Sequence, residues 1–202
     1  DLICDMRRPN PSKEVPTIEE AEKEQKRLNR RAAYRQTFRG TAAVLIVVAA
    51  ISVLVATLWM PVLQIYGSSM SPTLERGQIV ISVKNKHLKT GDIVAFWQGN
   101  KLLVKRVIAG PGQWVDIDAG GVVTVDGQTI DEPYLKEVSL GNCDIELPHQ
   151  VAESHWFFMG DNRATSVDSR TASIGDVSED QIEGQIVFRI WPLNAAGSMR
   201  QN

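Results

Sequence analysis

The chain has 202 residues and a mass of 22.4 kDa, which suits one domain with an appendage and excludes a multidomain assembly. With 43% hydrophobic and 23% charged residues, extensive disorder is excluded, and the net charge of −2 argues against a basic nucleic-acid-binding protein. Residues 1–40 contain ten Lys or Arg and seven Asp or Glu, whereas residues 41–74 contain no charged residue. Residues 75–202 contain twelve Lys or Arg and seventeen Asp or Glu. This uneven distribution of charge indicates that the chain is not one soluble globule.

The uncharged run from Thr41 to Leu63 predicts a transmembrane helix. At about 1.5 Å of rise per residue, some twenty residues cross the roughly 30 Å hydrocarbon core of a bilayer. A core helix of a soluble protein would show a polar stripe, and the apolar part of a cleavable signal peptide would be shorter and closer to the N-terminus. We therefore expect a permanent anchor over residues 41–63.

Basic residues before this anchor indicate its orientation. Between Lys23 and Arg39 there are seven Lys or Arg and one acidic residue. Because cationic flanks stay on the cytoplasmic side, we expect residues 1–40 to form a cytoplasmic tail and residues 64–202 an extracytoplasmic domain. The capping-box pattern of Thr17–Glu20 predicts a helix that runs to about Arg39 and touches anionic headgroups rather than nucleic acid.

After the anchor, short β-branched runs alternate with turn residues, which predicts strands. The predicted strands are Gln78–Val83, Asp92–Trp97, Leu102–Ile108, Trp114–Ile117, Val122–Val125, Trp156–Met159 and Gln185–Ile190. Asp126-Gly127 predicts a hairpin turn after the fifth of these strands. The expected fold class is mainly β, with one N-terminal transmembrane helix followed by a mostly antiparallel β domain that closes on one core.

Common catalytic and metal-binding signatures are absent from the sequence. His149 and His155, with Cys143 nearby, have only a faint likeness to metal ligands, and surface or core histidines are the simpler interpretation. We therefore expect neither a metal nor an organic cofactor.

Two segments have features of an active site without proving one. The turn Ile65–Leu74 reads IYGSSMSPTL, and its glycine and proline favour a tight backbone that exposes a hydroxyl and N–H groups. Lys105 interrupts the apolar strand Leu102–Ile108, where alternation places it on the opposite face from Arg106. Taken alone, the first segment is equally an ordinary loop and the second an edge strand with snorkelling cations.

A third segment, Gly160–Arg170, packs two acids, two arginines and several hydroxyls into eleven residues after an apolar strand. A solvated loop would have such a composition, but two Asp/Arg pairs favour a loop that is held rigid.

Together these segments resemble the sequence boxes of bacterial type I signal peptidases. The matching stretches are Ser69-Met70-Ser71-Pro72-Thr73-Leu74, Gly91-Asp92-Ile93-Val94, Val104-Lys105-Arg106-Val107 with the turn Ala109–Gly112, and Gly160-Asp161-Asn162-Arg163 with Ser166 to Arg170. They follow the family's order, and the resemblance covers about residues 41–192. The single anchor and the short insert Asp126–Glu137 are similar to the forms typical of Gram-positive bacteria.

The resemblance implies a Ser/Lys dyad, with Ser69 as the nucleophile and Lys105 as the general base. It further implies that Ser166 orients the lysine. The residues implied to structure its loop are Asp161 with Arg106 and Asp168 with Arg170, and the expected pocket walls are Ile65, Met70, Leu74 and Val104. The Ser69 N–H would be one oxyanion donor, whereas Gly67 stands where some relatives carry a serine that supplies a second.

This chemistry makes a demand on Lys105, because a free lysine has a pKa of about 10.4 and is almost entirely charged at pH 7. Burial among apolar groups lowers the pKa of a lysine by several units. Met70, Val104 and either Phe157 or Phe158 are the expected sources of that dry environment.

The implied substrate is the exported end of a signal peptide, cut after small residues of the Ala-x-Ala type. An extended peptide would add to a strand edge while shallow pockets read alternate side chains. The expected location is the cell membrane, with one pass, a cytoplasmic N-terminus and partners limited to signal peptides and lipid. The oligomeric state is not predicted.

Two rival interpretations remain. Self-cleaving repressors and mitochondrial inner-membrane peptidases share the dyad, but soluble repressors lack an anchor, and the charged tail and compact insert favour a bacterial enzyme. The second rival is a membrane-tethered β domain that binds or scaffolds with an inactive site; Ser69, Lys105 and Ser166 argue against it.

Overall fold

The computed structural model describes residues 17–85 and 87–199. The chain divides into two compact units, Asp1–Leu54 and Val55–Asn202. The predicted cytoplasmic tail lies in the first unit, and its residues 1–16 are outside the described part of the chain.

A single long helix, α1, extends over Ile18–Trp59. Its start agrees with the capping-box prediction, since the Thr17 N–H donates to the Glu20 carboxylate at 3.1 Å. Its apolar part is long enough to cross a membrane by length and composition, and the apolar side chains described there are exposed. One N-terminal apolar helix was expected, and it is present.

The helix differs from the prediction at both ends of the anchor. The tail helix and the apolar run form one uninterrupted helix rather than two segments that meet near Arg39. At the other end, Val62 and Leu63 lie in a strand and not in the helix. Pro61 explains this boundary because it lacks the N–H that a helix needs and disfavours helical geometry in the residue before it.

Twelve strands follow within the described residues. They are β1 (Val62–Gln64), β2 (Ile79–Val83), β3 (Ile93–Gln98), β4 (Lys101–Ala109), β5 (Trp114–Ile117), β6 (Val123–Val125), β7 (Gln128–Thr129), β8 (His149–Gln150), β9 (His155–Met159), β10 (Val177–Ser178), β11 (Ile182–Trp191) and β12 (Gly197–Ser198). All their pairings are antiparallel. The mainly β, antiparallel prediction is therefore confirmed.

The strands form two sheets. The larger has the order β1-β2-β11-β3-β4-β9-β10, with β12 on β11, and the smaller has the order β7-β6-β5-β8. The seven predicted strands are all present with small shifts of their ends, and the hairpin at Asp126-Gly127 joins β6 to β7. The sequence analysis missed β1, β8, β10 and β12, because strands of two or three residues are too short to show a period.

Three apolar clusters hold the sheets together. The first joins the small sheet to β4 and β9 and contains Val115, Phe157 and Met159. The second lies beneath the turn Ile65–Leu74, which we call the serine-rich turn. The third contains Phe96 and Phe158, whose rings stack at 4.8 Å between centroids. The second and third clusters pack on β3 and β4, so these strands are the rigid base of the site described next.

Candidate active site

The serine-rich turn is anchored at both ends. On the β1 side, the Ile65 N–H donates to the Gln78 carbonyl at 2.9 Å, and further along the Leu74 N–H donates to the Met70 carbonyl at 2.8 Å. Met70 and Leu74 are fully buried in the second cluster, together with Val80 and Ile93 of the larger sheet. Burial of these two side chains fixes the turn and leaves the serines between its anchors at the surface.

Ser69 and Lys105 meet at one cavity. Its volume is about 140 Å³, and its lining consists of Gln64, Ile65, Tyr66, Gly67, Ser69, Met70, Leu102, Leu103, Val104 and Lys105. Of the three serines in the turn, Ser69 lines this cavity, whereas Ser71 lines a separate one with Asn162 and Arg163. The fold thus brings together a hydroxyl and an amine that are 36 positions apart in the chain.

Lys105 is almost completely buried, with 3% of its surface exposed. The strand register places Val94 opposite Lys105 and Phe158 opposite Val107. Phe158 therefore lies on the lysine's face of the sheet, whereas Phe157 belongs to the cluster under the small sheet. Of the two aromatic residues named above, the register favours Phe158 as part of the dry surroundings.

Burial lowers the pKa of Lys105 from its ordinary value of 10.5 to about 8. The Asp168 and Asp161 carboxylates act in the opposite direction and the Arg170 guanidinium in the same direction, but both effects are smaller than that of burial. A useful fraction of the amine is therefore neutral near pH 7, in contrast to a lysine in water.

Arg106, the next residue on β4, has its charge fully paired. Its Nε and Nη2 donate to the two carboxylate oxygens of Asp161 at 2.8 and 2.6 Å, and its Nη1 donates to the Gly91 carbonyl at 2.7 Å. The Thr73 hydroxyl also donates to the Asp161 carboxylate. This buried bidentate pair connects β4 to the start of the segment Gly160–Arg170, which we call the polar loop, and to the serine-rich turn.

A second bidentate pair lies within the polar loop itself. Arg170 Nε and Nη2 donate to the Asp168 carboxylate at 2.8 Å each, and both side chains are completely buried. The same carboxylate accepts the Gly160 N–H at 2.9 Å. The loop therefore closes on itself around Asp168, which explains how so polar a segment is buried.

Gly160 is the point where this loop meets the serine-rich turn. A Cβ atom at this position would lie 2.2 Å from Ser166 Oγ and 2.5 Å from the Ser69 carbonyl oxygen, so only glycine fits. The Asn162 N–H donates to that same carbonyl at 3.0 Å. Ser69 and Ser166 are thus held against one glycine from two directions.

Ser166 Oγ is buried and, among the described residues, has no hydrogen-bond partner. A buried hydroxyl without a partner costs about 1–3 kcal/mol of stability, so such groups in native structures call for an explanation.

The other predicted pocket residues divide into two groups. Ile65, Met70 and Val104 line the cavity. Leu74 does not line it, because its side chain is completely buried in the cluster behind the cavity wall. Gln64, Tyr66, Leu102 and Leu103 also line the cavity but were not predicted, because their residue types are not distinctive of a site.

The faint histidine and cysteine pattern does not assemble. His149 Nε2 contacts the Asp176 carboxylate at 2.9 Å, and Cys143 is a free, half-buried thiol. Within residues 17–85 and 87–199, no group of three His, Cys, Asp or Glu side chains is placed to hold a metal ion.

Comparisons with known proteins show which family the chain resembles. A family model described as signal peptidase, peptidase S26, matches residues 38–191. Signal peptidase IB of Staphylococcus aureus is 35% identical over 150 residues, which are 64% of this chain and 77% of that protein. Signal peptidase I of Bacillus amyloliquefaciens is 31% identical over 164 residues, which are 76% of this chain and 88% of that protein.

A solved structure is also similar, that of a signal peptidase I from Enterococcus faecalis, with 25% identity and a TM-score of 0.40 over 49% of this chain and 96% of that one. The family model covers well over half of the chain, and it includes both the serine-rich turn and the polar loop. The chain therefore belongs to the signal peptidase family S26, and it is a serine peptidase of the family that removes signal peptides.

Proposed function

We propose that this chain is a membrane-anchored endopeptidase in which Ser69 attacks the peptide bond and Lys105 is the general base. The observation that carries the proposal is their meeting at one cavity, where the lysine is buried and its pKa is low. Among the described residues, no hydrogen bond or ion pair occupies the Lys105 amine. A lysine of this kind can accept a proton, which a paired, solvated lysine cannot do at neutral pH.

In the proposed reaction, the neutral Lys105 Nζ accepts the Ser69 Oγ proton while Oγ forms a bond to the scissile carbonyl carbon. The C–N bond of the tetrahedral intermediate then breaks, and Nζ returns the proton to the leaving amine. Water, deprotonated by the same amine, attacks the acyl-enzyme, and Nζ passes this proton to Ser69 Oγ as the C–O bond breaks. The new carboxylic acid then gives its proton to solvent. Each proton that Lys105 accepts is given back, so the lysine ends neutral.

Ser166 is proposed to orient the lysine. Its buried and unpartnered hydroxyl lies against Gly160 beside Ser69, and it is a free acceptor for a Lys105 N–H. The pairs of Asp161 with Arg106 and of Asp168 with Arg170 would then keep the loop in place, as the third group does in the generalised triad.

The Ser69 N–H is the proposed oxyanion donor. Among the residues that the structure describes, none accepts a hydrogen bond from it, so it is available to a developing negative charge. Gly67 has no side-chain hydroxyl that could donate to the oxyanion, so the Ser69 N–H is the one donor proposed.

Cleavage after small residues is supported by the size and lining of the cavity. Its volume of about 140 Å³ is well below the roughly 300–1,000 Å³ of pockets for drug-sized ligands, and aliphatic side chains form much of its wall. A small apolar side chain next to the cut, as in Ala-x-Ala, suits such a space.

A free strand edge beside the cavity would hold the rest of the peptide. β4 pairs with β3 from Lys101 to Arg106, but its pairing with β9 begins only at Arg106. Along Leu102–Lys105 the other edge has no strand partner among the described residues. A signal peptide in extended form would add to this edge and gain main-chain hydrogen bonds.

Anchoring and orientation complete the proposal. The apolar part of α1 would cross the bilayer, and the cationic stretch Lys23–Arg39 would keep the N-terminus in the cytoplasm. Residues 64–202 would then lie on the outer side, where a signal peptide leaves the bilayer. A tag at residue 1 that is digested by protease in intact inverted vesicles, but not in intact cells, would support this orientation; the reverse pattern would contradict it.

The decisive experiment incubates the full chain in detergent with a signal-peptide substrate that ends in Ala-x-Ala and maps the cut by mass. Ser69→Ala and Lys105→Ala should each abolish cleavage while the melting transition is retained. Ser71→Ala and Lys101→Ala are the matched controls, since they change a serine of the same turn and an exposed lysine of the same strand. Cleavage by Lys105→Ala, or a cut after a large residue, would overturn the proposal.

A further inference from the structure

Tyr134 lies against the strand that carries Lys105. The Arg106 guanidinium carbon is 3.7 Å from the centre of the Tyr134 ring, which is a close cation–π contact. Tyr134 comes from the insert Asp126–Glu137, whose side chains the sequence analysis did not use. A residue of the insert thus covers the guanidinium next to the proposed base.

The same tyrosine is linked to the polar loop through Glu132. The Tyr134 hydroxyl donates to the Glu132 carboxylate at 2.7 Å. This carboxylate also forms an ion pair with Arg163, accepting from its Nη1 at 3.0 Å and from its Nη2. Burial and the contact with Glu132 raise the pKa of Tyr134 above its ordinary range, so the phenol keeps its proton and remains a donor.

Arg163 carries the link on to the two serines. Its side chain is 1% exposed, and its Nε donates to the Gly160 carbonyl at 3.2 Å. Arg170 Nη2 in turn donates to the Arg163 carbonyl at 3.1 Å. Gly160 lies against both Ser166 and the Ser69 carbonyl. A shift of Arg163 would therefore move Gly160 and change the positions of the two serines.

We propose that Glu132 and Tyr134 form a brace that joins the Lys105 strand to the Ser166 loop, and that they are positioning residues for proton transfer between Ser69 and Lys105. This inference rests on the function proposed above. Neither residue lines the cavity at Ser69, so neither would touch the substrate.

The charges around the brace explain why it suits a lysine that must lose its proton. Three buried arginines, Arg106, Arg163 and Arg170, are each paired with one carboxylate, from Asp161, Glu132 and Asp168 respectively. Of these groups, Asp168 and Asp161 raise the pKa of Lys105 and Arg170 lowers it, and each of these effects is smaller than that of burial. Tyr134 covers Arg106, on the other face of β4, without adding a charge.

The test compares Tyr134→Phe, which keeps the ring, with Tyr134→Leu, which removes both the ring and the hydroxyl. Both are measured in the full chain by kcat and KM for a signal-peptide substrate from pH 6 to 10. In the unchanged protein we expect the midpoint of the kcat profile near the Lys105 pKa of about 8. In Tyr134→Leu, the polar loop that carries Ser166 should loosen from β4 and leave Lys105 less completely buried. The midpoint should then move up by about one pH unit and kcat at pH 7 should fall about tenfold, with KM unchanged. Tyr134→Phe should show a smaller shift in the same direction.

Val115→Ala is the matched control, because it removes apolar volume from the core under the small sheet. It should lower the melting temperature without moving the pH midpoint. The brace is refuted if Tyr134→Leu has the unchanged protein's kcat and midpoint, or if it loses activity while the midpoint stays, as in Val115→Ala, where it was. If Tyr134→Leu does not fold, an unmoved midpoint in Tyr134→Phe refutes it equally.

Lys105→Ala, assayed in parallel, separates the two proposals. If Lys105→Ala is inactive and the Tyr134 variants have the kcat–pH profile of the unchanged protein, only the brace is refuted. An active Lys105→Ala removes the dyad and the brace together.

Discussion

Lys105 and Arg106 are neighbours on β4, yet the two faces of this strand treat their cations in opposite ways. Arg106 meets the Asp161 carboxylate, the Gly91 carbonyl and the Tyr134 ring, so each side of its guanidinium has a partner. Lys105 is as deeply buried, but its face carries apolar residues and no hydrogen-bond partner within the described part of the chain. One cation is stabilised in its charged form and the other is destabilised in it.

The difference matches the chemistry of the two groups. A guanidinium stays charged at any physiological pH, so burying it requires a carboxylate, and the pair then becomes a structural tie. An ammonium can lose its proton, so burying it without a carboxylate in contact produces a base. Strand alternation by itself places the two side chains on opposite faces and allows both outcomes at adjacent positions.

The largest expected effect is a loss of kcat when a permanently charged side chain replaces Lys105. Lys105→Arg should lower kcat by about 10²–10⁴-fold or more, because a guanidinium cannot accept the serine proton. Lys101→Arg, at the exposed end of the same strand, should cleave at the unchanged rate. Steady-state cleavage at pH 8 measures the rates of both variants. An active Lys105→Arg would contradict the inference that the cation on this face must lose its proton.

Breaking the tie on the other face should cost stability. Asp161→Ala leaves the Arg106 charge buried without its carboxylate, and we expect the free energy of unfolding to fall by about 3–5 kcal/mol. The double variant Asp161→Ala with Arg106→Met removes the stranded charge and should recover part of that loss. Urea unfolding measures the free energy of unfolding of the single and the double variant. Equal losses in the two would mean that the unpaired Arg106 charge is not the cause of the loss.

Replacing Lys105, whose charged form is destabilised by burial, should stabilise the protein. The pKa of Lys105 is about 8 in the fold and 10.5 ordinarily, so below pH 8 the amine is charged in both states and the cost of burying it is fully present. We therefore expect Lys105→Met to raise the free energy of unfolding by about 3 kcal/mol at pH 7. The gain should shrink between pH 8 and 10.5, where the buried amine is neutral.

Thermal unfolding of Lys105→Met across this pH range, with Lys101→Met as the exposed control, is the measurement. A gain that is the same at pH 7 and at pH 10.5 would show that better packing, and not a relieved charge, is its cause.

The smallest effect on stability is expected at Ser166. Ser166→Ala removes a buried hydroxyl that has no partner, so the free energy of unfolding should stay within about 1 kcal/mol or rise slightly. Cleavage should nevertheless slow, with KM unchanged, because the lysine loses its orienting acceptor. Calorimetry and steady-state kinetics on one preparation check both points, and an unimpaired kcat would remove Ser166 from the reaction.

Much of the fold was predictable because its signals are local. β-Branched runs and Gly-rich turns identified seven strands, and the Thr17–Glu20 pattern identified the start of α1. The short strands β1, β8, β10 and β12 were missed because they exist only by pairing with β2, β5, β9 and β11. The anchor was extended too far because hydropathy does not register the missing N–H of Pro61.

The site shows the same division. Ser69, Lys105 and Ser166 were named from short motifs, but nothing in those motifs shows that Leu74 lies behind the cavity wall or that Phe158, rather than Phe157, shares the lysine's face. Glu132 and Tyr134 carry only a weak signal, an acid and an aromatic residue around a proline in a short insert. Their contacts with Arg163 and Arg106 span about thirty residues of chain.

The sequence by itself determined the long apolar helix, the strand-rich domain and the residue types of the site, because hydropathy, turn preference and strand alternation act between near neighbours. Tertiary structure decided which cation is paired and which is left dry, since burial and the partners of a charge come from distant segments packed onto β4. The protonation of one amine, on which the proposed chemistry depends, is a property of that packing.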